Sequence, residues 1–363
     1  MIAVSISRSC RTTANGLFSG SCASTRRISK DYPPHIYCAA DKPDNRKRTR
    51  ILPDTLGRLW VRLSKRRKDN MNRRILLLAA SLSCWAAVVA PASAQEFEQI
   101  PGTLTQVAAG RAEVWGINAS QQVFRFNATN GEFVQVAGKL TQVAVGGGSL
   151  LYTDAVWGLN AGSEIFQYNF TTKKLVQVQG ELTQITVGIG YNDTCHPWEV
   201  WGINANQQIF RYNYCSTAWD NTPGYLTRIS TGGSDVWGVN AAGQVFQYNF
   251  YSQTWVQIAG TLQQIAVGSN AVWGLDKFGY AYYYEDSVGF VQMPGTQAYS
   301  QIVAGGDGVW GINPAYTGGL ILRFDISVLT SPSVPGTLSQ ISSGSGAGVW
   351  GVNSAGQVFS FIR

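Results

Sequence analysis

Histidine and cysteine are scarce in this chain, and their scarcity limits the chemistry that it can perform. The 363 residues include only two histidines, of which only His196 lies after residue 94. Four of the six cysteines also lie before residue 95, which leaves Cys195 and Cys215 in the longer C-terminal part. Histidine-centred catalysis and Cys/His metal sites therefore have almost no residues to draw upon there. We predict that the protein is not an enzyme.

Charged residues are also few, and they are divided unevenly along the chain. Residues 1–94 carry 18 Lys and Arg against 5 Asp and Glu, a formal charge of +13. Residues 95–363 carry 10 Lys and Arg against 16 Asp and Glu, a formal charge of −6. Nucleic-acid binding depends on positive charge that faces phosphates, so we expect none from the C-terminal part. Its acidic residues are scattered rather than clustered, and we predict no metal ion and no cofactor.

Residues 71–94 have the pattern of a secretory signal peptide. Met71–Arg74 is a short positive start, residues 75–89 are almost wholly apolar, and Ala92-Ser93-Ala94 matches a cleavage site before Gln95. The apolar run of about fifteen residues is too short to span a bilayer. The pattern predicts a secreted or periplasmic protein that does not span the membrane.

Residues 1–70 lie upstream of that signal and are basic, without an internal repeat. Two interpretations are open. The segment is either a disordered basic arm of the kind that binds nucleic acid, or sequence upstream of the true start at Met71. We favour the second interpretation, because signal peptides stand at the N-terminus.

The C-terminal part is built from seven copies of one unit. Each copy contains Val-Trp-Gly, an Asn or Asp soon after it, an aromatic segment and a final apolar segment, and most copies begin with Gly-x-Leu-x-Gln. Four short strands, A to D, repeated about every 40 residues are typical of propeller blades. The copies are 36 to 44 residues apart, as measured between Trp115, Trp157, Trp201, Trp237, Trp273, Trp310 and Trp350.

The two ends of this region complement each other. The last copy stops after strand C at residues 358–362, whereas residues 97–102 have the pattern of a strand D. We therefore predict an all-β, seven-bladed propeller over residues 95–363, with four-stranded antiparallel blades. The N-terminal strand completes the last blade and covers its otherwise exposed edge. Two D strands are weakly marked, at residues 219–222 and 331–334, and we keep both because Pro332 is tolerated on an edge strand.

The repeated residues are predicted to be structural. The tryptophans fill the wedge between blades, and the adjacent glycines admit close backbone approach. Cys195 and Cys215 are an even pair in a chain predicted to be exported, which favours a disulfide over a two-thiol metal site that would have no nearby ligand except His196. Their predicted places, in the A–B and C–D loops of the third unit on the same face, are compatible with this bond. The repeated glutamines satisfy backbone groups around the channel or contact ligand, and we favour the structural role for Gln106, Gln142, Gln184, Gln264, Gln301 and Gln340.

Three repeated motifs resemble the tectonin repeat over about residues 97–363. They are Val-Trp-Gly-[Ile/Val/Leu]-Asn, [Val/Ile]-Phe-[Arg/Gln]-[Tyr/Phe]-Asn and Gly-x-Leu-x-Gln-[Ile/Val]. The family includes fungal, slime-mould and invertebrate lectins and fish egg lectins. The resemblance implies a propeller that binds glycans or glycoconjugates at repeated sites. Family lectins commonly have six blades, which is the alternative to the seven counted here. Relatives also act as interaction modules, which leaves an envelope protein as the alternative partner.

Loop residues that differ between units are the candidate ligand contacts, because the family motifs fall mainly on predicted core positions. Aromatic rings stack on sugars, polar groups bind hydroxyls, and several weak sites gain avidity on a repetitive surface. We predict a non-catalytic lectin with several weak sites, or alternatively a protein-interaction or structural propeller of the cell envelope. The candidates are predicted on one face, in A–B loops: Arg111, Glu113, Tyr152, Asp154, Tyr191, Asp193, His196, Trp198, Asp235, Asn270 and Asp307.

Overall fold

The computed structural model describes residues 96–148, 153–233, 235–269, 271–295 and 297–362, without the side chains of residues 191–193. The predicted signal peptide and the basic segment before it lie outside the described residues. Within these ranges all regular secondary structure is β-strand. Nowhere in them is there a helix of the length and apolar character needed to cross a membrane.

The described ranges contain 28 strands, which form seven antiparallel sheets of four strands each. In chain order they are β1 (Glu96–Thr103), β2 (Gln106–Ala109), β3 (Val114–Ile117), β4 (Gln122–Asn127), β5 (Glu132–Lys139), β6 (Gln142–Gly146), β7 (Ala155–Leu159), β8 (Glu164–Asn169), β9 (Lys174–Glu181), β10 (Gln184–Asp193), β11 (His196–Ile203), β12 (Gln208–Asn213), β13 (Ala218–Tyr225), β14 (Arg228–Gly232), β15 (Asp235–Val239), β16 (Gln244–Asn249), β17 (Thr254–Thr261), β18 (Gln264–Val267), β19 (Val272–Leu275), β20 (Ala281–Glu285), β21 (Gly289–Gln292), β22 (Gln301–Gly305), β23 (Gly308–Asn313), β24 (Leu320–Phe324), β25 (Ser333–Thr337), β26 (Gln340–Ser343), β27 (Val349–Val352) and β28 (Gln357–Ile362).

The seven sheets are the blades of a propeller. Blades 1 to 6 are successive groups of four strands from β2 to β25, and blade 7 is β26, β27, β28 and β1. Strand A of each blade contacts strand A of the next blade, and the ring closes between β26 and β2. The seven-bladed prediction is confirmed, and the six-bladed alternative is wrong for this chain.

The N-terminal strand closes the ring as predicted. β1 pairs antiparallel with β28, with Phe97 opposite Phe361 and Ile100 opposite Val358. Strand D of the last blade therefore comes from the opposite end of the described chain. This pairing covers the edge of β28, which would otherwise present open backbone groups.

Each blade interface is packed by a strand B tryptophan against a strand C aromatic ring of the next blade. The ring centroids of Trp115 and Tyr168 lie 4.5 Å apart, and Trp350 closes the ring against Phe126 at 4.7 Å. All seven tryptophans are at most 5% exposed, which confirms their predicted core role. Such pairs contribute about 0.5–1.5 kcal/mol each beyond area burial. The other pairs are Trp157–Tyr212, Trp201–Tyr248, Trp237–Tyr284, Trp273–Phe324 and Trp310–Phe361.

The glycine after each tryptophan is required by a close side-chain approach. A Cβ atom at Gly116 would lie 2.3 Å from Cδ1 of Leu104, the leucine of the Gly-x-Leu-x-Gln motif. In blade 6, Tyr299 and Phe324 approach Gly311 instead, at 3.0 and 2.9 Å from a Cβ atom. The Val-Trp-Gly and Gly-x-Leu-x-Gln segments of the repeat are therefore in direct contact. This contact leaves no room for a side chain at the glycine.

The repeated glutamine of strand A clasps adjacent blades around the channel. Nε2 of Gln142 donates to the carbonyl oxygen of Ile185 at 3.0 Å, and Oε1 accepts from the backbone amide of Ile185 at 3.2 Å. Arg228 stands at this position in blade 4, and there the amide of Val267 donates to Ser230 Oγ at 3.1 Å. The predicted structural role is thus confirmed, since the same two bonds are made by Gln106, Gln184, Gln264, Gln301 and Gln340.

The A–B connection of blade 3, which the sequence places in a loop, is ordered as extended strands instead. Residues 190–199 mostly extend β10 and β11 into a long hairpin, with Asp193 opposite His196. This arrangement pairs backbone groups that a loop would leave to solvent. The predicted disulfide is confirmed, because Cys195 at the hairpin tip is bonded to Cys215 with their Cα atoms 4.9 Å apart.

Replacing the clasp glutamine at the ring closure should destabilise the propeller. Gln340→Ala removes a bond of 3.0 Å to the Val107 carbonyl and one of 2.9 Å from the Val107 amide. We expect the free energy of unfolding in denaturant to fall by about 1–3 kcal/mol, because backbone groups of Val107 lose their partner. Gln135→Ala, on an exposed position of β5, is the control and should change it by less than about 0.5 kcal/mol. Equal effects of the two substitutions would contradict the clasp.

Candidate functional site

The candidate residues from the sequence are distributed over the A–B connections of blades 1 to 6 and the strand ends beside them. Tyr152 and Asn270 lie outside the described residues, as do the side chains of Tyr191 and Asp193. The remaining seven candidates are on the predicted face, but several of them serve contacts within the protein.

Asp154 ties two neighbouring A–B connections together. Its side chain is 1% exposed. Oδ1 accepts from the backbone amides of Arg111 and Gly148, both at 3.0 Å. Oδ2 accepts from the amides of Ala112 and Glu113, at 2.7 and 2.9 Å. A carboxylate that receives four amide hydrogen bonds is committed to the fold, so Asp154 has a structural role in this geometry.

A glutamate two residues before the tryptophan forms a three-residue cluster in blade 3. Glu199 is 1% exposed and binds Arg211 through two hydrogen bonds, 2.6 Å to Nη2 and 2.9 Å to Nε. The indole Nε1 of Trp201 donates to the same carboxylate at 2.7 Å. The guanidinium carbon of Arg211 lies 5.2 Å from the Phe250 ring centroid in blade 4, so the cluster also joins two blades.

The candidate Glu113 belongs to the matching cluster of blade 1. It binds Arg125 at 2.6 and 2.7 Å and accepts from Nε1 of Trp115 at 3.0 Å. This pair is more exposed than that of blade 3, at 14% for Glu113 and 38% for Arg125. The hydrogen bond to Glu113 raises the pKa of Arg125. The sequence analysis did not predict either cluster. A signal was present, because only blades 1 and 3 combine Glu-Val-Trp at strand B with an arginine on strand C.

The blade 3 hairpin packs onto the A–B connection of blade 2. Nε1 of Trp198 donates to the carbonyl oxygen of Thr153 at 2.8 Å, and its ring lies 5.2 Å from that of Tyr214. His196 is 8% exposed. Burial raises the pKa of the Tyr214 phenol. The tip of the hairpin is therefore a packed structure, with Trp198 serving as a contact between blades.

The last two candidates are acidic side chains of blades 4 and 6. Desolvation raises the pKa of the Asp235 carboxyl, a hydrogen bond from Gln247 opposes this shift, and the negative charge of Asp286 adds to it. The backbone carbonyl of Asp307 accepts from Nε1 of Trp310 at 3.3 Å. Across the described ranges, no three or more His, Cys, Asp and Glu residues are grouped as a metal site requires.

The channel is almost closed at the A–B face. The ends of the A strands leave a cavity of about 80 Å³, lined mainly by glycine, alanine, valine and serine. A Cβ atom at Gly232 would lie 2.0 Å from the carbonyl oxygen of Val267, so backbones meet directly here. Ligand pockets usually have volumes of about 300–1,000 Å³, so this end is too small for a sugar.

A larger depression lies between the outer strands of blades 2 and 3, and we call it the blade 2–3 groove. Its volume is about 730 Å³. Blade 3 supplies Trp219, whose Cδ1 lies 3.4 Å from the position of a Cβ atom on Gly180. Gly180 is a bulge residue of β9 with φ +125°, which brings the two blades close together. The polar lining comes from Glu164, Gln177, Gln179, Glu181, Asn204 and Thr217.

The contact at the bottom of this groove recurs around the propeller. A left-handed bulge glycine on strand D of one blade faces a large side chain at the start of strand D in the next. The aromatic residues at the starts of the D strands were visible in the sequence, but only the structure brings them against the glycines. The equivalent pairs are Gly102–Phe133, Gly138–Leu175, Gly224–Trp255 and Gly260–Phe290.

The fold defines a seven-bladed propeller in which a contact between a strand D glycine and a side chain of the next blade recurs. The chain belongs to the tectonin family, since the model of the Tectonin domain matches residues 86–254 and 247–363. A comparison with curated proteins found no match.

Solved propellers share the architecture at low sequence identity. The structure of U3-55K has a TM-score of 0.56 at 8% identity and covers 74% of this chain and 98% of that one. YCF48 from Cyanidioschyzon merolae has a TM-score of 0.54 at 13% identity, and the match covers 73% of this chain and 98% of that one. Human WBSCR16 has a TM-score of 0.52 at 11% identity, and the match covers 73% of this chain and 88% of that one. These similarities establish the fold alone.

Removing the buried glutamate of blade 3 should cost far more stability than removing its counterpart in blade 1. Glu199→Ala leaves the Arg211 guanidinium and the Trp201 indole without their acceptor. We expect the free energy of unfolding to fall by about 3–5 kcal/mol, as for one partner of a buried ion pair. Glu113→Ala should cost less, because its pair is partly solvated. Chemical denaturation measures the loss of unfolding free energy for each variant, with Glu98→Ala at an exposed position of β1 as the control. Equal losses for Glu199→Ala and Glu98→Ala would refute the prediction.

Proposed function

We propose that this protein is an exported, non-catalytic carbohydrate-binding propeller, and that sugars bind in the blade 2–3 groove and its equivalents. The observation that carries the proposal is the groove itself. It combines an aromatic side chain with amide and carboxylate groups in a cleft of about 730 Å³.

The groove has the chemistry that sugar recognition needs. Trp219 is partly exposed, and we expect the accessible part of its indole to contact the apolar face of a pyranose ring. Gln177 and Glu164 are already hydrogen-bonded to each other at 3.1 Å, which holds both side chains in position for hydroxyl groups. With Gln179 and Glu181 they supply hydrogen-bond donors and acceptors along the groove. Each net hydrogen bond contributes only about 0.5–1.5 kcal/mol, so we expect single sites to be weak.

Recurrence of the groove compensates for this weakness. The equivalent glycine–side chain contacts lie between other pairs of blades in the same ring. We expect sugars to bind beside several of them, so that a repetitive glycan surface engages more than one site at once and binding gains avidity. The sites are not identical, because the side chain that faces the glycine differs from blade to blade. It is Phe133, Leu175, Trp219, Trp255 or Phe290. We expect the cleft with Leu175 to bind least, since it has no ring at this position. Among the A–B loop candidates, Arg111 and Asp235 stay as secondary contacts on the opposite face.

Export is part of the same proposal. The signal-peptide pattern before Gln95 and the disulfide between Cys195 and Cys215 both favour an oxidising compartment. A glycan-binding protein in that location meets cell-surface sugars directly.

A protein-interaction role in the cell envelope is the second candidate. It is favoured by the C–D connection of blade 6, where three apolar side chains are solvent-exposed. They are Ile326 at 50%, Val328 at 63% and Leu329 at 42%. Clustered exposed apolar groups of this kind suit a protein contact better than a sugar.

Two substitutions that copy a natural blade test the lectin proposal. Trp219→Leu and Trp255→Leu install the residue that blade 2 carries as Leu175, so folding should be preserved. After a glycan array has identified a ligand, calorimetry should give one site fewer for each tryptophan replaced, because each loses its stacking surface. Tyr251→Ala removes a fully exposed aromatic ring outside the groove and should change nothing. An undiminished stoichiometry in the double variant would refute the groove, and an array without binding would favour the envelope role.

A further inference from the structure

A second large cavity lies at the other mouth of the central channel, and we call it the axial bowl. Its volume is about 1,050 Å³, against about 80 Å³ at the A–B face. It opens among the B–C turns, and blades 3 to 6 line it. It shares no lining residue with the blade 2–3 groove.

Arg228 projects into this bowl from a position where six of the seven blades have the clasp glutamine. The substitution removes the two-bond clasp between blades 4 and 5. The arginine is exposed, and within the described ranges its guanidinium makes no hydrogen bond and no ion pair. The fold therefore loses two hydrogen bonds here and gains a cation that the propeller does not use.

The B–C turn of blade 5 departs from the repeat beside it. Oδ1 of Asp276 accepts from the amides of Phe278 and Tyr280, both at 2.9 Å, which is the turn that Asn forms in other blades. Lys277 and Phe278 are not needed for this turn. The matching positions hold only small residues in five other blades, namely Ala119-Ser120, Ala161-Gly162, Ala205-Asn206, Ala241-Ala242 and Ser354-Ala355.

The two departures give the bowl a distinct chemistry. Phe278 is 64% exposed, and Nζ of Lys277 lies 4.9 Å from its ring centroid. Lys277 and Arg228 are the two cations of the lining, and Asp276 is its one acid, already engaged in the turn. Positive charge in a concave surface is focused toward an anion, although residues 95–363 carry a net −6.

We propose that the axial bowl is a separate ligand site for a small ring-bearing organic carboxylate, the chemistry of a uronic acid. The Arg228 guanidinium matches a carboxylate through two parallel hydrogen bonds, and Lys277 adds a second positive charge. The exposed Phe278 ring covers the apolar face of the ligand's ring.

Arg228→Gln separates the ligand role of this residue from a folding role. It restores the residue of the other six blades, whose clasp partner here is the backbone of Ile265. We expect the melting temperature to rise by about 2 °C, because up to two hydrogen bonds are gained. Affinity for sodium glucuronate, measured by calorimetry at low salt, should fall at least about tenfold with the loss of a charge-assisted pair. A substitution that stabilises the fold and weakens glucuronate binding points to a ligand site.

Matched controls make the test specific. Glucose, which lacks the carboxylate, should bind the bowl at least about tenfold more weakly than glucuronate. Lys174→Gln removes a cation from the exposed β9 strand and should leave glucuronate binding unchanged. The proposal is overturned if the unsubstituted protein does not bind glucuronate, or if Arg228→Gln binds it equally well. The groove is tested by Trp219→Leu, which this site does not involve, so either proposal can fail alone.

Discussion

The contact between a strand B tryptophan and an aromatic ring of the next blade is the constraint on which the rest of the propeller depends. Each tryptophan fills a wedge that its own blade cannot close, so every blade needs a neighbour. Trp350 meets Phe126 as Trp115 meets Tyr168, and the ring therefore closes with the same contact that builds it. The glycine beside each tryptophan and the leucine packed on it follow from this requirement for close approach.

The repeated polar residues are committed to the same ring. Clasp glutamines such as Gln142 join neighbouring A strands, and asparagines such as Asn118 form the B–C turns by accepting backbone amides. The residues that identify the repeat are thus largely unavailable to a ligand. Ligand chemistry must come from positions on the outer strands or from positions where one blade differs from the others. This division explains why the family motifs did not identify a binding site.

The fold was predictable because it depends on periodic, local patterns, whereas the site contacts are not local. Residues 97–102 resemble a strand D, and this similarity alone predicted the closing strand. The role of Asp154 could not be predicted, because its four amide donors include a loop about forty residues earlier that only the closed ring brings near. The face chosen for the candidates followed from loop variability. Variability does not distinguish a side chain used for packing, such as Trp198, from one left to solvent.

Deviation from a repeat indicates function only when the deviating side chain lacks a structural partner. Glu199 deviates from most blades, yet its carboxylate is saturated by Arg211 and Trp201, and the fold gains a buried ion pair. Arg228 deviates in the opposite sense, because it removes two bonds between blades and places a solvated charge in a cavity. Such a loss costs stability, and ligand binding is the compensating role that we propose for it. The adjacent Lys277 and Phe278 are unnecessary for their turn, and they place that role in the axial bowl.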